Sequence, residues 1–301
     1  MSPVRRDSTA GRVFLDLQAI ARKTGRPTEE LLVMYVLERF LYRLAASPHR
    51  ARFVLKGGML LAALETRRPT ADIDLLANAV ANDVDSVSEL VRAVLEITVD
   101  DGVSYEADQL RARVIRDGEL YAGVRLSAPA RIGQARAVLR IDVSVGDPVT
   151  PGPVELEYPG LLDGSFHLLG YPIATVMAEK LVTMIDRGAA TTRERDFADV
   201  LLLTRRHSMD AADLLAALRA TARHRGSVLR PLSGLLDTLG ASRQRAWGAF
   251  VARSRMGEFL PADYSDAIDA VGAFADPLLN GALQTGTWEP TSAAWRKKLE
   301  F

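Results

Sequence analysis

Between Leu110 and Pro159 apolar and polar residues alternate in "LRARVI", "LYAGVRLSA", "AVLRIDVSVGD" and "PVELEYP", whereas from Tyr171 onward apolar residues recur every three to four positions. A period of two selects strands and a period near 3.6 selects helices. The chain is therefore expected to place a mixed sheet before a helical region, an α/β (α+β) class. The change falls between Leu161 and Tyr171, where Pro159, Gly160, Gly164, Gly170 and Pro172 punctuate the sequence. With 301 residues and 48% apolar content there is material for two cores. The expected domains are 1–165, a sheet with N-terminal helices, and 166–301, a helical domain.

Helical spacing also appears ahead of the sheet. "PTEELLVMYVLERFLYRLAA" predicts a helix from Thr28 to about Ala46 with Thr28 as its N-cap, and "DVDSVSELVRAVLEI" predicts another. After Tyr171, "YPIATVMAEKLVTMIDR", "RERDFADVLLLTRR", "DAADLLAALRATARH" and "SRQRAWGAFVARSR" all read as helices, and no strand is expected. No run of about eighteen apolar residues occurs and the N-terminus lacks a signal-peptide core, so no membrane partner is expected. The absence of cysteine excludes disulfides, thiolate nucleophiles and cysteine-ligated zinc, and agrees with a cytoplasmic location.

The stretch "FVLKGGMLLAALETRRPTADIDLL" carries the first chemistry. Phe53 to Leu55 reads as a short strand, the apolar run after the glycines as a short helix, and "DIDLL" as a strand with Asp72 and Asp74 on one face and Ile73 and Leu75 on the other. Two carboxylates so placed can share a hard divalent cation, which takes oxygen ligands and needs only one or two from protein. Asp142 in "LRIDVSVGD" sits on an alternating strand whose Ile141 and Val143 point the other way. If that strand lies beside "DIDLL", three acids converge, and three acids with metals and a triphosphate suit in-line phosphoryl or nucleotidyl transfer. Gly57 and Gly58 permit either a tight turn with φ > 0 or close approach of a phosphate to backbone amides. Neither the Walker GxxxxGK[ST] loop nor GxGxxG is present.

Further along, Lys180 shares a helix face with Thr183 and Arg187, while Asp196 and Asp199 lie three residues apart on the next helix. Meeting across the bend, they would form a lysine suited to a triphosphate and an aspartate able to accept a hydroxyl proton. The net charge is zero, but seven arginines (Arg223, Arg225, Arg230, Arg243, Arg245, Arg253, Arg255) stand against one acid, Asp237, between Thr221 and Met256. That imbalance points to a polyanionic partner such as RNA.

The ordered set "KGGMLLAALETRRPTADIDL", "RIDVSVGD", "YPIATVMAEKL" and "RERDFADVLLL" resembles the AbiEii-type nucleotidyltransferases of bacterial toxin–antitoxin systems, including the MenT toxins, over roughly half the chain. The resemblance implies a polymerase-β-like nucleotidyltransferase core followed by a helical domain, and an NTP substrate with magnesium (or manganese). It also implies a cognate antitoxin and transfer of NMP to RNA, with the 3′ acceptor end of tRNA the target in some relatives. Position by position, it assigns Asp72, Asp74 and Asp142 to metal, and Lys56, Gly57, Gly58, Arg68 and Lys180 to nucleotide. Asp196 or Asp199 takes the later catalytic acid. Arg68 and Thr70 match an R-x-T-x-D-x-D pattern, and in some relatives an antitoxin kinase phosphorylates this stretch, which makes Thr70 a candidate regulatory site. The competing expectations are nucleotidylation of a small molecule or a protein side chain, and a catalytically silent protein that grips RNA or antitoxin.

Overall fold

The computed structural model describes residues 6–66, 68–81, 83–116 and 122–296. Lys297, Lys298 and the first two residues of "LYAGVRLSA" lie outside them. The chain divides into two compact units, one of Met1–Ala63, Arg67–Gly146 and Val154–Gly170, the other of Leu64–Thr66, Asp147–Pro153 and Tyr171–Phe301.

In the first unit, helices α1 (Thr9–Thr24) and α2 (Thr28–Ala46) lead into strand β1 (Phe53–Lys56), helix α3 (Gly57–Ala63), strand β2 (Ile73–Ala77) and helix α4 (Val84–Leu95). Strands β3 (Val103–Tyr105), β4 (Arg111–Arg116), β5 (Ala122–Ile132), β6 (Ala135–Val145), β7 (Val154–Pro159) and β8 (Ser165–Gly170) follow. They form a mixed sheet in the order β3-β5-β6-β2-β1-β8-β7, with β4 also paired to β5. The β2–β6 and β1–β8 pairings are parallel and the others antiparallel.

Alternation works as the pattern requires: Leu139, Ile141 and Val143 of β6 are essentially inaccessible, whereas the residues between them face outward. Helix α2 packs on β6 and α4 packs on β4 and β5, covering the apolar side. Within this core Arg43 is buried, but its guanidinium donates to both oxygens of Asp101 (2.6 and 3.1 Å) and to the carbonyls of Arg39, Ile97 and Val103. Every donor is used, which is what makes a buried charge tolerable.

Two local expectations are corrected. Helix α2 begins at Thr28, but its N-cap is Pro27 and no side chain caps it, so the threonine is the first helical residue. Strand β8, "SFHLLG", stands in the segment read as a boundary; it completes the sheet beside β1, and glycine and proline around it hid the alternation.

The second unit holds helices α5 (Ile173–Arg187), α6 (Glu194–Arg206), α7 (Ala211–Arg225), α8 (Leu239–Ser254) and α9 (Tyr264–Leu279). It is not free of strands. Strands β9 (Met209–Asp210), β10 (Thr287–Glu289) and β11 (Ala294–Arg296) form a small sheet in the order β11-β10-β9. At two or three residues each they are too short to show a period, and tryptophans fix them instead. Trp288 donates its indole N–H to the Thr204 carbonyl (2.7 Å) and Trp295 to that of Phe274 (2.8 Å). Among the described residues no helix is long and apolar enough to cross a membrane.

Candidate active site

Register carries the first unit's acids to one place. Asp74 is the Cα partner of Asp142 on one side and of Lys56 on the other, and Asp142 is the partner of Arg125, which pairs with Arg113. Arg113, Arg125, Asp142, Asp74 and Lys56 thus form one row across five strands, roughly 4.8 Å apart from strand to strand. Asp72 lies one residue before β2, at the same end.

Arg125 is the member of this row that sequence reasoning missed. Its Nε and Nη2 donate to the two oxygens of Asp142 at 2.7 and 2.5 Å. This bidentate pairing, first through its hydrogen bonds and then through the charges of Asp142, Asp72 and Asp74, holds the guanidinium's pKa above its ordinary value. In sequence, Arg125 is one polar residue of "AGVRLSA", and only the cross-strand partner reveals its role.

The glycines make room for the acids. Gly57 has φ +64°, and a Cβ there would lie 1.8 Å from Asp74 Oδ2. At Gly58 a Cβ would lie 2.7 Å from Thr70 Oγ1 and 3.4 Å from Arg68 Nη1. The pair lets the loop before β2 and the Asp74 carboxylate sit directly against the start of α3. The positive φ of Gly57 is the one a tight strand-to-helix turn requires, and its tightest neighbour is the Asp74 carboxylate. Thr70 is in the loop, because β2 starts only at Ile73. Its hydroxyl nevertheless donates to Asp72 Oδ1 (3.1 Å), through a turn and not along a strand.

The second unit brings together Lys180, Asp196 and Asp199. Lys180 Nζ on α5 donates to Asp196 Oδ1 (3.2 Å) and Asp199 Oδ2 (2.6 Å) on α6, and Arg193 Nε donates to Asp196 Oδ2 (2.6 Å). Asp196 is 3% exposed and Asp199 0%. These carboxylates are matched by cations inside the protein.

The family model for the AbiEii nucleotidyl transferase toxin of type IV toxin–antitoxin systems matches residues 39–275. The chain belongs to that family. Two solved structures are similar to this AbiEii protein, each 14% identical in sequence. JHP933 from Helicobacter pylori matches over 82% of this chain and 92% of its own with a TM-score of 0.48. An H. pylori protein described as a candidate nucleotidyltransferase matches over 84% and 97% with a TM-score of 0.49. No curated protein sequence matches significantly.

For a nucleotidyl transferase the donor set can be tested against a hard divalent cation. Asp72 and Asp74 offer half-exposed carboxylates at a strand end, which fits a metal that keeps waters and takes one or two protein oxygens. Asp142 has both oxygens bound by Arg125, and among the described residues no three His, Asp or Glu side chains gather closely enough to cage a metal unaided. The fit is to a site completed by substrate.

Of the seven C-terminal arginines of this AbiEii chain, Arg223, Arg230, Arg245, Arg253 and Arg255 are exposed. Arg225 and Arg243 are corrections to the expected RNA-facing patch. Arg225 Nη1 donates to Thr183 Oγ1 (2.8 Å) and Arg243 Nε to Glu194 Oε1 (2.6 Å), so both tie helices of the second unit together. Sequence clustering cannot separate an arginine facing solvent from one facing the next helix.

Proposed function

We propose that this AbiEii protein transfers NMP from an NTP to the 3′ acceptor end of tRNA, blocking aminoacylation and hence translation in the cytoplasm until its antitoxin intervenes. The observation that carries the reading is the in-register pair Asp74–Asp142 with Asp72 beside it, at a strand end kept open by Gly57. Asp72 and Asp74 would hold magnesium (or manganese), whose charge would offset that of the triphosphate and lower the pKa of the attacking hydroxyl. Lys56 and Arg68 flank those acids and orient the phosphates, with the Gly57–Gly58 backbone available to them. Arg125 holds Asp142 in line and carries a guanidinium that can pass from this carboxylate to a phosphate. The RNA hydroxyl attacks the α-phosphorus and gives its proton to a site carboxylate or water; the new P–O bond forms as the α–β bridging P–O bond breaks, and pyrophosphate leaves.

Lys180 is proposed to support use of the triphosphate, with Asp196 and Asp199 fixing its ammonium. Incubating the protein with each α-labelled NTP, magnesium and total tRNA, then sequencing the labelled ends, tests the reading. Label at tRNA 3′ ends supports it; label only on a small molecule or a protein, or none with any NTP, rejects it.

A further inference from the structure

The outward side of β4, β5 and β6 carries a second feature. Strand pairing sets Arg111 opposite Ser127 and Ser127 opposite Arg140, one row away from the row that holds Arg113, Arg125, Asp142 and Asp74. Farther along the β5–β6 hairpin, Arg131 pairs with Arg136. Because alternate residues share a face, all six arginines project from the side opposite the buried Val124, Leu126, Leu139, Ile141 and Val143. Arg111, Arg113, Arg136 and Arg140 are exposed, and none of them has a hydrogen-bond or carboxylate partner among the described residues. Arg131 is held by Glu106 (2.8 Å) and Arg125 by Asp142.

Four exposed guanidiniums on one rigid sheet face, with no acid matching them among the described residues, repel one another and are kept in place by a backbone that cannot let them disperse. Along a strand, residues of one face recur at roughly 6.7 Å, and neighbouring strands lie about 4.8 Å apart. The array therefore offers several donors to successive phosphates of one chain, and it leads straight to the carboxylate row. We propose that this face of β4–β5–β6 is the surface on which the RNA acceptor lies, its phosphates on Arg111, Arg113, Arg136 and Arg140 and its reactive end toward Asp74. The inference rests on RNA as acceptor, as read above, and places the RNA contact on the sheet of the first unit, where the C-terminal arginine cluster had been expected to supply it.

The test is tRNA binding without NTP, so that it does not depend on transfer. Fluorescein-labelled bulk tRNA is titrated with the full-length protein at several salt concentrations. Three proteins are compared: wild type, Arg111/Arg113/Arg136/Arg140→Ala, and the same four positions changed to Lys. Each phosphate contact contributes about 0.7 to 0.9 to the slope of log K against log salt. The alanine variant should lose about three units of slope and at least about tenfold in affinity near 0.1 M salt, and the lysine variant should keep most of both. The sites are exposed and have no partner among the described residues, so unfolding temperatures should agree within a few degrees.

Wild-type affinity and slope in the alanine variant would overturn the proposal. So would loss of the slope only in an Arg223/Arg245/Arg253/Arg255→Ala variant, or weakened binding of purified antitoxin with tRNA binding unchanged. If wild type labels no RNA yet the sheet variant loses tRNA binding, the surface stands and the transfer reading falls. If transfer to tRNA proceeds with an unchanged KM for tRNA in the sheet variant, transfer stands and the surface falls.

Discussion

Asp74 and Asp142 sit partly exposed on neighbouring strands, the first against Gly57, where no Cβ stands in its way, and the second paired with Arg125. Asp196 and Asp199 sit buried on a helix, matched by Lys180 and Arg193. The same kinds of side chain make both clusters, and the balance of charge differs. In the second unit the carboxylates are satisfied within the fold, so removing a cation leaves buried charge and costs stability. In the first, Asp72, Asp74 and Asp142 share one strand end, where Arg125 holds both oxygens of Asp142. The first cluster is where metal and triphosphate are proposed to meet; in the second, the buried ion pairs of Lys180 also tie α5 to α6.

The sharpest break in this comparison is Asp74→Ala. Transfer should fall by about a thousandfold or more, the scale of losing a preorganised electrostatic element, while the unfolding temperature moves by no more than a few degrees. Lys180→Ala should do the reverse to stability. The change removes the ammonium that bridges Asp196 and Asp199 in the interior, and breaking a buried ion pair costs about 3–5 kcal/mol, read as a fall of roughly ten degrees in Tm. A Lys180→Ala protein as stable as wild type would mean that the second cluster is not structural.

Gly57→Ala comes next. A Cβ at φ +64° and 1.8 Å from Asp74 Oδ2 forces the carboxylate to move, and a displacement of that kind can cost about a hundredfold in rate. The backbone strain itself is about 1–2 kcal/mol. Gly58→Ala, which meets the more adaptable Thr70, should cost less. Equal activity in Gly57→Ala and wild type would show that the cleared space is incidental.

The smallest effect is at Thr70. Thr70→Val removes one hydrogen bond to Asp72, worth about 1 kcal/mol, so transfer should drop severalfold at most. A phosphate on Thr70 would instead place about −1.5 to −2 charges beside Asp72 and silence the protein. Intact-mass analysis after co-expression with the antitoxin distinguishes the two cases; full neutralisation of active Thr70→Val protein rules out this route.

Much of the acid site could be read from sequence because strands announce their faces. Alternation in "DIDLL" and "RIDVSVGD" was enough to place Asp74 and Asp142 on outward sides, and parallel pairing of those strands did the rest. Arg125 was not legible, since its role depends on which strand lies next to it. The same limit explains Arg225 and Arg243, counted with the solvent-facing arginines although they bind Thr183 and Glu194. It also explains the sheet-face arginines, scattered over residues 111–140 and gathered only by strand pairing. Strands β9 to β11 escaped for a different reason, since two or three residues carry no periodicity; β8 was lost among the glycines and prolines read as a boundary, and the Asp263 cap that starts α9 was not weighed.

The central claim, that the first unit's carboxylate row is where triphosphate and metal meet, is tested most directly by thermal unfolding of wild-type and Asp74→Asn protein with and without magnesium and a non-hydrolysable NTP. A ligand that binds only the folded state raises stability by about 2.7 kcal/mol at a hundred times its Kd. The two proteins should unfold at nearly the same temperature alone, with only wild type shifting upward when magnesium and nucleotide are added together. An equal upward shift in Asp74→Asn would contradict the account.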